Sequence, residues 1–103
     1  MIIKVLIRRR IQENYIRKVF ELLKKLRIGA MNQPGYISGE TLVDQFDPQR
    51  IMVVSIWQTV EDWIRWQEND ERKSIEVQLE RVLLEPTKYE TYDVVSTKLW
   101  TLI

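Results

Sequence analysis

Two segments of this chain are apolar on both alternating sets of side chains, and no other feature restricts its possible folds as strongly. Segments 2–8 (IIKVLIR) and 51–57 (IMVVSIW) are rich in β-branched residues and too short to be typical helices. Because successive side chains of a strand point to opposite faces, each segment predicts a strand that is covered on both sides. Any sheet that contains them therefore needs protein against both of its faces.

The region between these two strands predicts one helix and one further strand. Apolar residues recur at three- and four-residue spacing over 13–27, which indicates an amphipathic helix that ends near Gly29. Segment 36–46 follows a turn-rich stretch and predicts a strand that is weakened or bulged at Gly39. A short turn then leads into 51–57, so these two strands are expected to form a hairpin.

The second half of the chain repeats the alternation of helix and strand. Thr59, with Asp62 three residues later, resembles a capping box and opens a short helix. A second helical pattern follows a break at 69–70 and runs to Leu83, and segment 89–95 predicts the last strand. The order strand, helix, strand, strand, helix, strand is that of the ferredoxin-like α+β fold (βαββαβ), an antiparallel sheet with helices on one face.

This fold conflicts with the two-sided apolar strands unless a second molecule covers the open face of the sheet. Whichever alternating set of strand side chains faces the helices, the other set is also apolar and lies on the opposite side of the sheet. An example is Ile2 and Leu6 with Met52, Val54 and Ile56. Left in water, these side chains would form a patch of roughly several hundred Å², about the limit for a monomer. We therefore expect a homodimer in which two sheets face each other and form a dimeric α+β barrel.

The length of 103 residues suits one domain, which we place at 1–95. The remaining segment, 96–103, is unusually apolar for a chain end. We expect it to extend the dimer interface. The alternative is that it folds back on the helices of its own chain.

Composition excludes several kinds of chemistry. The chain has no Cys and no His, so it has no disulfide, no thiolate nucleophile, no imidazole base and no His- or Cys-ligated metal. No metal site and no cofactor are expected. Sixteen basic against fifteen acidic residues give a net charge of +1, which argues against a nucleic-acid or membrane-surface partner. Without a signal-peptide pattern or a long apolar stretch, a cytoplasmic location is expected.

Segment 55–66 (SIWQTVEDWIRW) resembles the antibiotic biosynthesis monooxygenase family, in which a Trp closes the third strand before a Glu-Asp-Trp helix start. The turn 34–36 (PGY) and the strand end 92–94 (YDV) fit the same pattern, and the resemblance covers residues 1 to 95. It implies a dimeric α+β barrel with a small-molecule pocket between sheet and helices in each subunit. The motif contains no invariant catalytic triplet.

Members of this family differ in activity, so the resemblance implies a class of reaction and no substrate. Some oxygenate polycyclic phenols to quinones without metal or flavin, and some degrade haem with a helix His as iron ligand and an Asn in the first strand. This chain has no His, and segment 2–8 has no Asn, so haem degradation by that mechanism is not expected. The resemblance therefore implies a cofactor-independent monooxygenase acting on a small aromatic or quinol-like molecule. The alternative is a non-catalytic small-molecule-binding or structural dimer.

Four residues are candidates for contact with a substrate. Trp57 and Trp63 could form aromatic walls, although Trp at a strand end or helix start commonly fills a core. Tyr36 or Arg8 could hold a substrate oxygen in a cavity beneath the helices, although Arg8 begins a run of three arginines typical of a solvated strand end. No catalytic residue and no general base can be assigned from the sequence.

Overall fold

The structure is a computed structural model that describes residues 1–95 of the chain. Its strands are β1 (Ile3–Arg10), β2 (Tyr36–Val43), β3 (Arg50–Trp57) and β4 (Lys88–Asp93). Its helices are a short 3₁₀ turn (Glu13–Tyr15), α1 (Ile16–Met31), α2 (Val60–Gln67) and α3 (Asp70–Glu80). The strands form one antiparallel sheet in the order β2-β3-β1-β4, which confirms the predicted fold class.

The sheet has one face against the helices and one face without cover in the single chain. Ile3, Val5 and Ile7 of β1 are buried against α1, α2 and α3 in a continuous core. The intervening side chains of β1 point to the opposite face, which we call the open face. Its apolar members are partly exposed: Ile2, Leu6, Leu42, Met52, Val54 and Ile56.

The start of α2 confirms the predicted capping pattern. The Thr59 hydroxyl accepts a hydrogen bond from the backbone N–H of Asp62 at 3.1 Å and donates one to the Asp62 carboxylate at 2.8 Å. The predicted break between the two later helices is also present, and Asn69 caps α3 by accepting from the backbone N–H of Arg72 at 3.2 Å. Both caps satisfy N–H groups that a helix start leaves without partners.

Helix α1 ends at Met31, two residues beyond Gly29, near which its end was predicted. Gly29 is buried in the helix because the indole ring of Trp66, from α2, packs against it: a Cβ at this position would lie 2.5 Å from Cη2 of Trp66. The glycine therefore makes room for this ring and does not terminate the helix.

Strand irregularities also differ from the prediction. The bulge lies between Tyr36 and Ser38 and not at Gly39, which pairs regularly with Ser55. Strand β2 stops at Val43, short of the predicted Phe46, because the Asp44 carboxylate accepts backbone hydrogen bonds in the following turn.

Two boundaries near the end of the domain also differ from the prediction. Helix α3 ends at Glu80 and not at Leu83, because the residues after it bond to the end of β1: Leu84 N–H donates to the Arg10 carbonyl at 2.7 Å. Strand β4 covers 88–93 and not 89–95.

The predicted extension at 96–103 lies outside the described residues, so its expected place at a dimer interface stays a prediction. Within residues 1–95, no helix combines the length and apolar character that crossing a membrane requires.

The contact between Gly29 and Trp66 predicts that Gly29→Ala destabilises the protein. Alanine favours a helix over glycine by about 1 kcal/mol, but overpacking a core costs about 1–3 kcal/mol. We expect a net loss in the free energy of unfolding, measured by urea denaturation. In a Trp66→Phe background, which removes the crowded ring atoms, the same change should cost less or stabilise. A Gly29→Ala protein at least as stable as the parent would contradict this packing account.

Candidate functional site

A cavity of about 50 Å³ lies between the helices and the covered face of the sheet. Its lining is mainly apolar and aromatic, with a few charged side chains. The main contributors are Ile7, Arg9, Leu23, Leu26, Arg27, Ala30, Tyr36, Val53, Ser55, Trp57, Trp63, Trp66 and Arg72. Most of these are buried, whereas Arg27 of α1 is exposed and Tyr36 of β2 is half-buried, so the cavity meets solvent between α1 and β2.

Three of the four residues predicted for a site lie together at this cavity. The rings of Tyr36 and Trp57 meet edge to face with centroids 5.4 Å apart, and those of Trp57 and Trp63 lie 5.9 Å apart. Trp57 is fully buried, and its indole N–H donates to the Ser55 hydroxyl at 3.0 Å. The same cluster is part of the core, so core packing and a cavity wall are compatible descriptions of these rings.

Gly39 creates the space in which Tyr36 lies. A Cβ at Gly39 would be 2.6 Å from the Tyr36 hydroxyl oxygen. The absence of a side chain at position 39 is therefore what lets the phenol of Tyr36 lie along β2 at the border of the cavity.

Two buried arginines share a single carboxylate beside the aromatic cluster. Arg9 donates to Oε1 of Glu76 at 2.6 Å, and Arg72 lies 3.2 Å from the same oxygen. The Arg72 guanidinium also lies over the ring of Trp63, 5.1 Å from its centroid, and donates to the Tyr89 hydroxyl at 3.3 Å. Both arginines line the cavity, so its surroundings contain two cations and one anion that are nearly removed from water.

Neither buried arginine was among the residues predicted for the site, although the sequence contains a signal for each. Arg9 continues the alternating set of Ile3, Val5 and Ile7, which places it on the covered face. Arg72 lies three residues before the buried Ile75, on the same side of α3. A charged residue at a core position of a periodic pattern is the signal that was missed.

The structure places Arg8, the fourth predicted residue, on the open face and away from this cavity. Its Nε–H donates to Oε1 of Glu90 at 2.5 Å, and the hydroxyl of Tyr92 donates to the other oxygen of that carboxylate at 2.5 Å. The expected position beneath the helices is therefore corrected: alternation along β1 directs Arg9, not Arg8, to that side. The hydrogen bond from Tyr92, followed by that from Arg8, lowers the pKa of Glu90 below its ordinary value.

A second cleft, of about 250 Å³, lies where β1, β2 and β3 end near Arg8 and Arg10. It is wider and more polar, and ion pairs border it: Arg10 lies 3.2 Å from Asp47, and Arg50 lies 3.7 Å from Asp44. The smaller cavity is the better candidate, because ligand sites combine apolar walls with a few convergent polar groups. Among residues 1–95, no three carboxylates are grouped so that they could hold a metal ion.

Comparison with known proteins identifies related sequences and structures. A family model described as antibiotic biosynthesis monooxygenase matches residues 2–76. No curated protein matches the chain.

Several solved structures have the same fold. One, from Nitrosomonas europaea and provisionally named an antibiotic biosynthesis monooxygenase, is 14% identical with a TM-score of 0.87, covering 93% of this chain and 92% of that one. A conserved protein of Methanosarcina mazei is 17% identical with a TM-score of 0.85, covering 89% and 91%. SnoaB of Streptomyces nogalater, a cofactor-independent oxygenase, is 9% identical with a TM-score of 0.84, covering 93% and 95%. At sequence identities of 9–17%, this similarity supports the same fold and no more.

The hydrogen bond from Tyr92 predicts the acid–base behaviour of the open face. Tyr92→Phe removes the donor, so the pKa of Glu90 should rise toward its ordinary value. Because folding lowers this pKa, the ionised carboxylate favours the folded chain above the pKa of the unfolded state, and this contribution is lost as pH falls through the folded pKa. Carboxyl ¹³C NMR titration measures the shift. Tyr15→Phe, a change outside the open face, is the control and should leave Glu90 unchanged.

Proposed function

Because the chain belongs to the antibiotic biosynthesis monooxygenase family, we propose that it is a cofactor-independent monooxygenase acting on a small aromatic or quinol-like molecule. The observation that carries this proposal is the aromatic cavity formed by Tyr36, Trp57 and Trp63. Flat aromatic walls suit a flat aromatic substrate, and their burial excludes water from a reactive intermediate. A cytoplasmic location stays a prediction.

The proposed reaction needs a substrate that can itself reduce oxygen. In an anthrone-like compound, loss of a proton from an activated CH₂ group gives an anion that can pass an electron to O₂. Overall, one oxygen atom replaces the two hydrogens of the CH₂ group as a carbonyl, and the other leaves with them as water (R₂CH₂ + O₂ → R₂C=O + H₂O). The substrate loses four electrons and O₂ accepts four, so no external reductant is consumed. The protein would bind and orient the substrate and stabilise its anion.

The roles proposed for individual residues follow from their positions. Trp57 and Trp63 would form the walls, and the Tyr36 hydroxyl at the border would donate to a substrate oxygen. Arg8 lies on the open face and has no proposed contact with this substrate. No residue is assigned as a catalytic base.

The size of the cavity favours the second candidate function, a non-catalytic small-molecule-binding dimer. Its volume of about 50 Å³ is far below the roughly 300–1,000 Å³ of typical ligand sites. An oxygenase acting on a polycyclic compound would have to widen the opening between α1 and β2. Binding of only part of a ligand would need no such movement.

Oxygen uptake distinguishes the two candidates. With dithranol, an anthrone, the purified protein should consume oxygen above the spontaneous rate without added flavin or metal. Tyr36→Phe should lower kcat about a hundred- to a thousandfold, because it removes one donor to the developing anion. The matched control is Tyr15→Phe, since Tyr15 is exposed and does not line the cavity. Absence of uptake above the spontaneous rate with dithranol and with hydroquinone would contradict the oxygenase proposal and favour the binding protein.

We further propose that the protein is a homodimer formed through the open face. The support is the group of partly exposed apolar side chains around Val54, which pairs with Leu6 on one side and faces Glu40 on the other. Full burial of each such side chain stabilises by about 1.5–3 kcal/mol before association costs. Charged groups including Lys4, Arg8 and Glu90 on the same face would form a polar rim.

The dimer proposal predicts the effect of a single charge at the centre of this face. Val54→Lys should give a monomer by size-exclusion chromatography with light scattering, because taking an ammonium group out of water at the centre of the interface opposes association. Val77→Lys is the matched control, since Val77 is 53% exposed on α3, on the helical side of the molecule. A monomeric parent protein at micromolar concentration would contradict the proposal.

A further inference from the structure

We propose that the cavity binds the anionic oxygen of an aromatic monoanion, with Arg9 as the receptor and Arg72 as its positioning partner. The inference deepens the proposed function, on which it rests for the aromatic nature of the ligand. It specifies the charge of the ligand and the residue that recognises it.

The buried charges beneath the helices are not balanced. The side chains of Arg9 and Arg72 are 1% and 4% exposed, and the one carboxylate that contacts both, Glu76, is 13% exposed. Two guanidinium groups, which stay protonated at all physiological pH values, therefore share one negative charge. Burial of an uncompensated charge is strongly unfavourable, so a bound monoanion would complete the charge balance.

Arg9, the proposed receptor, also has a hydrogen-bond donor without a partner. Nη2 of Arg9 donates to Glu76, but the Nε–H of Arg9 is buried without a hydrogen-bond partner. Buried donors in native proteins almost always have partners, so a buried guanidinium with an unused N–H needs an explanation. Since Arg9 lines the cavity, an oxygen of a ligand that enters there could supply the missing acceptor after a small adjustment of the side chain.

The guanidinium of Arg72 has partners that Arg9 does not have, so the two arginines have different proposed roles. One of its nitrogens contacts Glu76 and the Tyr89 hydroxyl, and its guanidinium carbon lies 5.1 Å and 5.8 Å from the ring centroids of Trp63 and Tyr89. Cation–π contact and these polar partners stabilise the Arg72 charge without a ligand. Arg72 holds Glu76 in place and adds positive potential, whereas Arg9 retains a free donor.

The dimensions and remaining charges define the class of ligand. A volume of about 50 Å³ accommodates a carboxylate or phenolate end, while the rest of the ligand would occupy the mouth beside Arg27. There Arg27 donates to the Gly39 carbonyl. An excess of a single positive charge at Arg9, Arg72 and Glu76 suits a monoanion better than a phosphate dianion.

Isothermal titration calorimetry with the full chain tests the proposal. The probes are benzoate, 4-nitrophenolate at a pH where it is ionised, and benzamide as a neutral analogue. We expect saturable binding of at least one anion, with one site per chain and at least about tenfold higher affinity than for benzamide. Tighter binding of benzoate identifies a carboxylate ligand, and tighter binding of 4-nitrophenolate identifies a phenolate.

Variants with opposite expected effects identify the receptor and exclude a general loss of folding. Arg9→Gln should weaken anion binding about tenfold or more and leave benzamide unchanged. Glu76→Gln should strengthen anion binding several-fold, because it removes the competing negative charge. Arg17→Gln, an exposed change of equal charge on α1, should have no effect. Thermal denaturation of each variant reports whether it is folded.

Two results would overturn the inference: no saturable binding of either anion to the parent protein, or binding of both anions no tighter than that of benzamide. Both are independent of oxygen uptake. A protein that binds the anions but consumes no oxygen would retain this inference and contradict the oxygenase. A protein that oxidises dithranol but binds neither anion more tightly than benzamide would support the oxygenase and contradict this inference.

Discussion

β1 is hydrogen-bonded along both edges, to β3 and to β4, and the rest of the structure depends on the alternation of its side chains. Successive residues of a strand face opposite sides, so pairing on both edges fixes which side chains of all three strands lie beneath the helices. The neighbours Arg8 and Arg9 show the effect. One forms an exposed ion pair with Glu90, and the other is buried against Glu76, although they are adjacent in sequence and chemically identical.

The aromatic cluster and the buried charges are two parts of one site. Trp63 contacts Trp57 on one side and the Arg72 guanidinium on the other, so the ring links the apolar wall to the cationic group. Such a combination can hold a flat molecule by its faces and fix its orientation by one polar atom. One fold can support many functions, so the function of this chain has to be argued from the particular residues beneath its helices.

Local patterns in the sequence were sufficient for the order of elements and for the Thr59–Asp62 cap, because periodicity and capping depend on residues close in the chain. They also selected Tyr36, Trp57 and Trp63, which the structure brings together. Local patterns were insufficient where contacts between distant segments of the chain determine the structure. Gly29 has the sequence signature of a helix end, but Trp66 packs against it from a distant helix. The sharing of Glu76 by Arg9 and Arg72 joins residues 67 positions apart, a relation that no local pattern contains.

The spacing of Arg72 and Glu76, one helical turn apart on α3, has a consequence for how members of such a fold can diverge. The charge beneath the helices is set largely by these two positions and Arg9, whereas the walls are set by aromatic residues on other elements. A substitution at position 76 can therefore change the formal charge of the cavity while the aromatic walls stay in place, whereas a substitution at position 72 also removes the cation from the face of Trp63. The charge of the ligand that the cavity accepts can thus change through a position that forms none of its aromatic walls.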